Sequence, residues 1–316
     1  MKHFSASEFK TYIDCPYRWK KTFIEDRKIL ELENDEYSNL MSNKFLDFGI
    51  YIHACLEEYN QTNSDIFVIS KLLLNKHKGI TVDGYIRAKD VLAKFMQRSY
   101  NVPDKLIHAE KKFEFVTDNG VPLRGTIDAI YKNKRSIVVV DYKTGYNAFT
   151  EEYLKTDLQM MIYTLYAQHE YPEHEVSVIL DNLNYEPLAY EYGENELDAC
   201  KNYLEQKYLA ITKDEKCEPR LNQYCSWCSQ LGNCPLLKTL EELKSSPIEG
   251  MNKENIGDAA KKYNDLAMII KLFDTKKNSY YDFLTNAAKI NDGEWKDKNM
   301  SVMLKNGKLY VKEIKK

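Results

Sequence analysis

Asp128 lies in the stretch LRGTIDAIY, and Asp141 and Lys143 lie in VVVDYKTG. Successive side chains of a β-strand alternate faces, so Asp141 and Lys143 point the same way. The short turn NKRS (133–136) makes the two stretches neighbours and brings Asp128 towards Asp141. Two carboxylates at the end of an apolar strand repel each other unless a cation neutralises them. Hard divalent ions such as Mg²⁺ or Mn²⁺ prefer carboxylate oxygens. A lysine two residues on can hold a phosphate oxygen or orient the attacking water. The set suits metal-assisted hydrolysis of a phosphodiester. Taken singly, Asp141 and Lys143 also read as strand-end polar residues. Gly125, with room for close backbone approach, and Gly145, allowing a sharp exit, favour the chemical reading.

Three further groups can join this set. His53 sits beside the apolar stripe of an amphipathic helix and can offer an imidazole to the same metal; alone it reads as a core or surface histidine. Gln159 and Tyr163, at i and i+4 in DLQMMIYTLYA, share one helix face. They belong either to an ordinary core helix or to one whose glutamine bonds a catalytic group or a DNA phosphate. Glu110, at the start of the first strand, is another candidate for the same site.

A second constellation is built from sulfur. Cys225-x₂-Cys228-x₅-Cys234 supplies three soft ligands in one short loop. A tetrahedral site needs a fourth, from Cys217 nearby or Cys15 far upstream. On spacing alone zinc and an iron–sulfur cluster both fit. Cys55 and Cys200 read as buried apolar positions.

The elements that must position these groups follow from periodicity. Ser5 or Ser7 caps a first helix that Cys15-Pro16 ends. In 44–60, Phe45, Phe48, Ile52, Leu56 and Tyr59 recur at helical spacing. Helices are predicted over 65–77 and 83–100, and ELENDEYSN (31–39) reads as a surface loop. Residues 108–117 and 122–132 alternate around a turn at 118–120, and 137–144 is a near-continuous apolar strand. A helix over 152–170 and a strand over 175–185 come next. Residues 194–211 are predicted helical and 214–235 irregular. Helices over 236–246 and about 253–290 precede a hairpin at Asn306-Gly307.

Length and charge bound the class. The 316 residues carry 45 basic and 48 acidic groups, a net charge of −3. Coating of nucleic acid through bulk charge is excluded, so any contact with it is local and metal-assisted. No apolar run reaches membrane-span length. The seven cysteines, odd in number and without a secretory leader, point to a reducing, cytoplasmic setting. No GxxxxGK[ST] motif is present, so no nucleotide-driven motor is expected.

In this order GIYIH, GTIDAI, VVDYKTG and LQMMIY resemble the RecB-like branch of the PD-(D/E)XK nucleases over about 45–185. The resemblance implies a restriction-endonuclease-like α/β fold with an αβββαβ core, a mixed central sheet flanked by helices. It implies metal binding by His53, Asp128 and Asp141, catalysis by Lys143, and a motif helix carrying Gln159 and Tyr163 at the active site. Several members, among them CRISPR-associated RecB-type exonucleases and the AddAB nuclease domain, hold a [4Fe–4S] cluster on one upstream and three downstream cysteines. Cys15, Cys225, Cys228 and Cys234 match those ligands here, and such a cluster would staple the chain ends around the core. The domains expected are 1–43 with the first cluster cysteine, 44–190 the nuclease core, 191–240 the cluster region and 241–316 a helical extension ending in a hairpin. The implied activity is a metal-dependent DNA exonuclease on single strands or ends, alone or beside a helicase or recombination partner. The alternatives are a CRISPR-adaptation nuclease and a non-catalytic DNA-binding or anti-defence module on the same fold.

Overall fold

The computed structural model describes residues 2–25, 44–77, 79–100, 105–225, 228–236, 256–290, 293–296, 300–305 and 307–313. The first helix, α1 (Ala6–Asp14), begins at a reciprocal cap: Ser5 Oγ accepts from Glu8 N, and Glu8 Oε2 accepts from Ser5 N. Pro16 opens a second short helix, α2 (Pro16–Lys20), which Cys15 caps with its sulfur. Then follow α3 (Lys44–Thr62), α4 (Ile66–Leu74) and α5 (Val82–Met96). The α3 stripe is buried at Phe48, Ile52, Leu56 and Tyr59; the Phe45 side chain lies outside the described residues.

Five strands follow in chain order across one sheet: β1 (Leu106–Val116), β2 (Pro122–Lys132), β3 (Ser136–Lys143), β4 (Glu175–Asn182) and β5 (Leu188–Tyr190). The sheet is mixed, because β3 and β4 run parallel while the other neighbours run antiparallel. A parallel pair needs a crossover, which α6 (Glu151–Lys155) and α7 (Leu158–Glu170) supply.

Each face of the sheet has its own helical layer. Val140 and Tyr142 of β3 join Ala129 and Tyr131 of β2 in a core with α3, α4 and α5. Asp141 alternates with them and meets Gln159 of α7, so α7 covers the opposite face. There Tyr166 stacks on Phe113 with centroids 4.2 Å apart. Burying side chains of this size contributes about 1.5–3 kcal/mol each.

Several sequence expectations need adjusting. The helix expected over 152–170 breaks at Thr156, because Asp157 takes the N–H groups of Gln159 and Met160 and starts a new helix. The strand expected to reach 185 stops at Asn182, whose side chain bonds the Gly145 and Asn147 carbonyls. β5 is too short to have shown a pattern. Gly145 has no positive φ and does not permit the exit in the way anticipated.

Contacts divide the chain into two units: Met1–Ile13 with Thr22–Lys216, and Asp14–Lys21 with Cys217–Lys316. The first holds the sheet and closes with α8 (Glu194–Lys213). The second holds α9 (Ile256–Ile290) and a three-stranded antiparallel sheet, β6 (Glu294–Lys296), β7 (Met300–Lys305) and β8 (Lys308–Glu313). The hairpin predicted at Asn306-Gly307 is β7–β8, with Gly307 at φ 72°; β6 is an addition to it. The predicted loop 31–39 and the predicted helix from 237 onward to 246 lie outside the described residues. Among the described residues no helix is long and apolar enough to cross a membrane.

Candidate active site

β2 and β3 stop pairing just where the acidic groups begin. Their ladder ends at Ala129–Val140. Beyond it Tyr142 N donates instead to Asp128 Oδ2, at 2.6 Å. The diverted N–H fixes one oxygen of Asp128, and Oδ1 lies 3.4 Å from His53 Nδ1 on α3. Thus the β2 carboxylate and the α3 imidazole meet.

Asp141 is buried, with its side chain only 3% exposed. Its Oδ1 accepts from Gln159 Nε2 at 3.0 Å, and Lys143 Nζ lies 2.6 Å from its Oδ2. Among the described residues Oδ2 has no aligned hydrogen-bond donor, and the charge of Lys143 is its main compensation. Gln159 also donates to Tyr163 Oη at 2.7 Å, and Tyr163 donates to the Thr126 carbonyl. Tyr163 therefore anchors the glutamine that holds Asp141. Gly125 makes this approach possible: a Cβ there would stand 2.8 Å from the Phe113 ring and 3.2 Å from that of Tyr163.

Glu110 moves from the margin to the centre. Its carboxylate, with His53 Nδ1 or Nε2 and an Asp128 oxygen, forms a group whose donor atoms lie within 4.8 Å of one another. Its backbone, at φ 48°, occupies the left-handed region within a strand. That conformation costs a non-glycine residue about 1–3 kcal/mol. No feature of the letter sequence announces this kink; only the register that sets β1 against β2 could have pointed to it.

The electrostatics are those of carboxyls crowded together in a buried place. Burial, with Asp128 beside it, pushes the Glu110 carboxyl up to about 7. Burial also raises Asp141, which Lys143 only partly offsets. His53 is raised, because Asp128 and Asp141 outweigh the cost of burying its charge. Lys143 is raised for the same reason, with Asp141 as the dominant partner against burial. Carboxyls that resist ionisation together, beside an imidazole, form a donor set that fits a hard divalent cation.

The cysteines make a separate cage in the second unit. Cys15, Cys225, Cys228 and Cys234 all line one small cavity. Cys15 Sγ accepts the Arg18 and Arg220 N–H groups, at 3.5 and 3.4 Å, and Cys225 Sγ accepts that of Asn222 at 3.3 Å. Burial raises the Cys225 and Cys234 thiols, and the neighbouring thiols, Cys15 among them, raise both further. Four sulfurs lining one cavity, two of them accepting backbone N–H bonds, fit a cationic centre. Among the described residues, no three of these sulfurs lie within 4.8 Å of one another. Zn–S bonds of 2.3 Å would put tetrahedral sulfurs about 3.8 Å apart. Cys55 and Cys200 are core residues, as expected, and Cys217 is buried away from this cavity.

Comparison with known proteins places these residues in a wider group. The profile of the PD-(D/E)XK nuclease superfamily matches residues 3–235. No curated protein matches the chain in sequence. An exonuclease candidate from Eubacterium rectale is similar at 12% identity and a TM-score of 0.47, over 80% of this chain and 91% of that one. The protein SSO0001 is similar at 14% identity and a TM-score of 0.31, over 68% of this chain and 98% of that one.

Proposed function

This chain belongs to the PD-(D/E)XK nuclease superfamily, and from that premise we propose that it is a metal-dependent DNA exonuclease, acting on single strands or ends and stabilised by a [4Fe–4S] cluster. The observation that carries the catalytic reading is the buried Asp141 carboxylate, held between Lys143 and Gln159 beside the His53–Glu110–Asp128 group.

His53, Glu110 and Asp128 would hold the divalent ion, with the Asp141 carboxylate on β3 as a further ligand. Bound there, Mg²⁺ or Mn²⁺ supplies Lewis-acid charge to the phosphoryl group and makes water a better nucleophile. The Lys143 side chain is 34% exposed, while its charge is held by Asp141. It can steady a non-bridging phosphate oxygen as negative charge develops there. Gln159 and Tyr163 bear no charge; they keep Asp141 from turning away. In the reaction water adds to phosphorus, the bond to one bridging oxygen breaks, and that oxygen leaves with a proton.

The four cysteines gathered around one cavity support a Cys₄ centre, and their match to the cluster ligands of the resembling nucleases favours iron–sulfur over zinc. Anaerobically purified protein should be brown, with about four irons per chain on the Cys₄ cluster reading. End-labelled single- and double-stranded DNA incubated with Mg²⁺, Mn²⁺ or EDTA tests the activity. Release of nucleotides from ends, abolished by EDTA, is the expected result. DNA binding without cleavage in either metal would instead favour the non-catalytic reading, and one zinc without iron would replace the cluster.

A further inference from the structure

We propose that α9 pairs with α9 of a second copy of this chain as an antiparallel coiled coil. Between residues 263 and 283 every described side chain of this helix except Ile269 is exposed. Among the described side chains further along, Leu284 is half-buried and Ala288 fully buried, and the helix meets the small sheet of the same unit. Large apolar groups nevertheless occupy the exposed part: Tyr263 (72% exposed), Ile270 (61%), Phe273 (50%), Tyr280 (59%) and Phe283 (68%).

The spacing of these residues selects the kind of partner. Residues 263 and 270 stand one heptad apart, and 270, 273, 277, 280 and 284 continue in alternating steps of three and four; Phe283 flanks this seam. A helix keeps such a seam on one side only by supercoiling around another helix. A flat protein face or a nucleic-acid backbone imposes no 3.5-residue period.

The area is sufficient for self-association. Aromatic side chains bury about 150–250 Å² each, so covering the exposed part of this seam removes about 600 Å² from water on each helix. Two copies together reach about 1,200 Å², the lower bound of stable interfaces. An identical helix has the same period and length, and an interface of this kind is self-complementary about a two-fold axis.

Lys277 sets the direction. In a parallel pair its ammonium would face its own copy inside the seam. In an antiparallel pair centred between residues 270 and 273, Ile270 meets Phe273 and Tyr263 meets Tyr280 of the other copy. The two Lys277 then stand about 16 Å apart along the axis, at 1.5 Å per residue. A single polar residue at a seam position commonly fixes register in this way.

Sedimentation velocity on the full chain at about 50 μM, well above a micromolar dissociation constant, should give twice the 37.1 kDa chain mass. Ile270→Glu with Phe273→Glu should give a monomer with an unchanged circular dichroism spectrum in the sheet region. A charge swap separates the orientations. Tyr263→Glu with Tyr280→Glu should be monomeric in any arrangement. Tyr263→Lys with Tyr280→Glu should recover the dimer, since those positions meet only in the antiparallel register. Wild type that sediments as a monomer overturns the proposal, as does a monomer that gains mass only when DNA or another protein is added. A dimer that survives the Ile270/Phe273 change, or a swap that fails to recover it, does the same.

Discussion

At the scale of single residues, Asp141 and Lys143 form one ion pair with unequal members. The aspartate has almost no access to water, whereas the lysine keeps a third of its side chain exposed. Asp141→Ala leaves a lysine that can swing out to solvent. Lys143→Ala leaves a buried carboxylate with Gln159 as its remaining partner. We therefore expect both variants to lose cleavage, but Lys143→Ala to melt lower. Removing one partner of a buried pair costs up to about 3–5 kcal/mol. Titration calorimetry with Mn²⁺ should show metal binding lost in Asp141→Ala and kept in Lys143→Ala. Wild-type cleavage in either would break the assignment. Glu110→Gln removes one charge from the metal group without changing its shape, and Mn²⁺ affinity should drop by at least tenfold; unchanged affinity would return Glu110 to a structural part. The Asp141–Lys143 pair was legible because a strand's alternation is fixed by chain geometry. Asp128 was legible through the short turn that makes β2 and β3 neighbours. Glu110 was legible only as one candidate among others, since a left-handed residue inside a strand is decided by what surrounds it.

At the scale of elements, α7 and α1 owe their seats to a few contacts. Gly125→Ala should push on the Phe113 ring, which cannot retreat because Tyr166 is stacked on its face. Overpacking of this sort costs about 1–3 kcal/mol, or roughly 2–12 °C in the melting temperature of a domain this size. A variant that melts like wild type would mean the rings yield. The start of α1 carries a pH signature. Burial drives the Glu8 carboxyl up, but Ser5 N–H, Lys2 and Arg124 outweigh it and hold it below its ordinary 4.5. A depressed value stabilises above the unfolded pKa, and that stability is lost as pH falls through the folded one. The advantage of wild type over Glu8→Gln in urea unfolding should therefore be full above about pH 5.5 and shrink below about 4.5. A difference that grows in acid would reverse the sign. Long patterns made α3, β3 and α9 readable in the letters. The break at Asp157 was hidden by an apolar spacing that runs through it, since capping is decided by one side chain turning back onto the backbone.

At the scale of the whole molecule, the sulfur cage joins the two ends of the nuclease region of the sequence. Cys15→Ser should lose more iron than Cys55→Ser, Cys200→Ser or Cys217→Ser, measured on anaerobically purified protein. Full iron in Cys15→Ser with loss in Cys217→Ser would exchange their roles. The spacing C-x₂-C-x₅-C was visible at once. The fourth sulfur was not fixed by spacing, because a contact across some two hundred residues leaves no local pattern. The order in which these cysteines occur along the chain also sets a timetable. Cys15 leaves the ribosome first of the four, and Cys234 follows only after the entire five-stranded sheet has been made. At about 5–20 residues per second the wait is roughly ten to forty seconds. Throughout it, the first thiol is present without its companions, open to oxidants and to stray metal ions. On the proposed cluster reading, whatever loads this cage must act on a chain whose sheet is already synthesised, so a shortage of that supply would leave all four sulfurs unfilled.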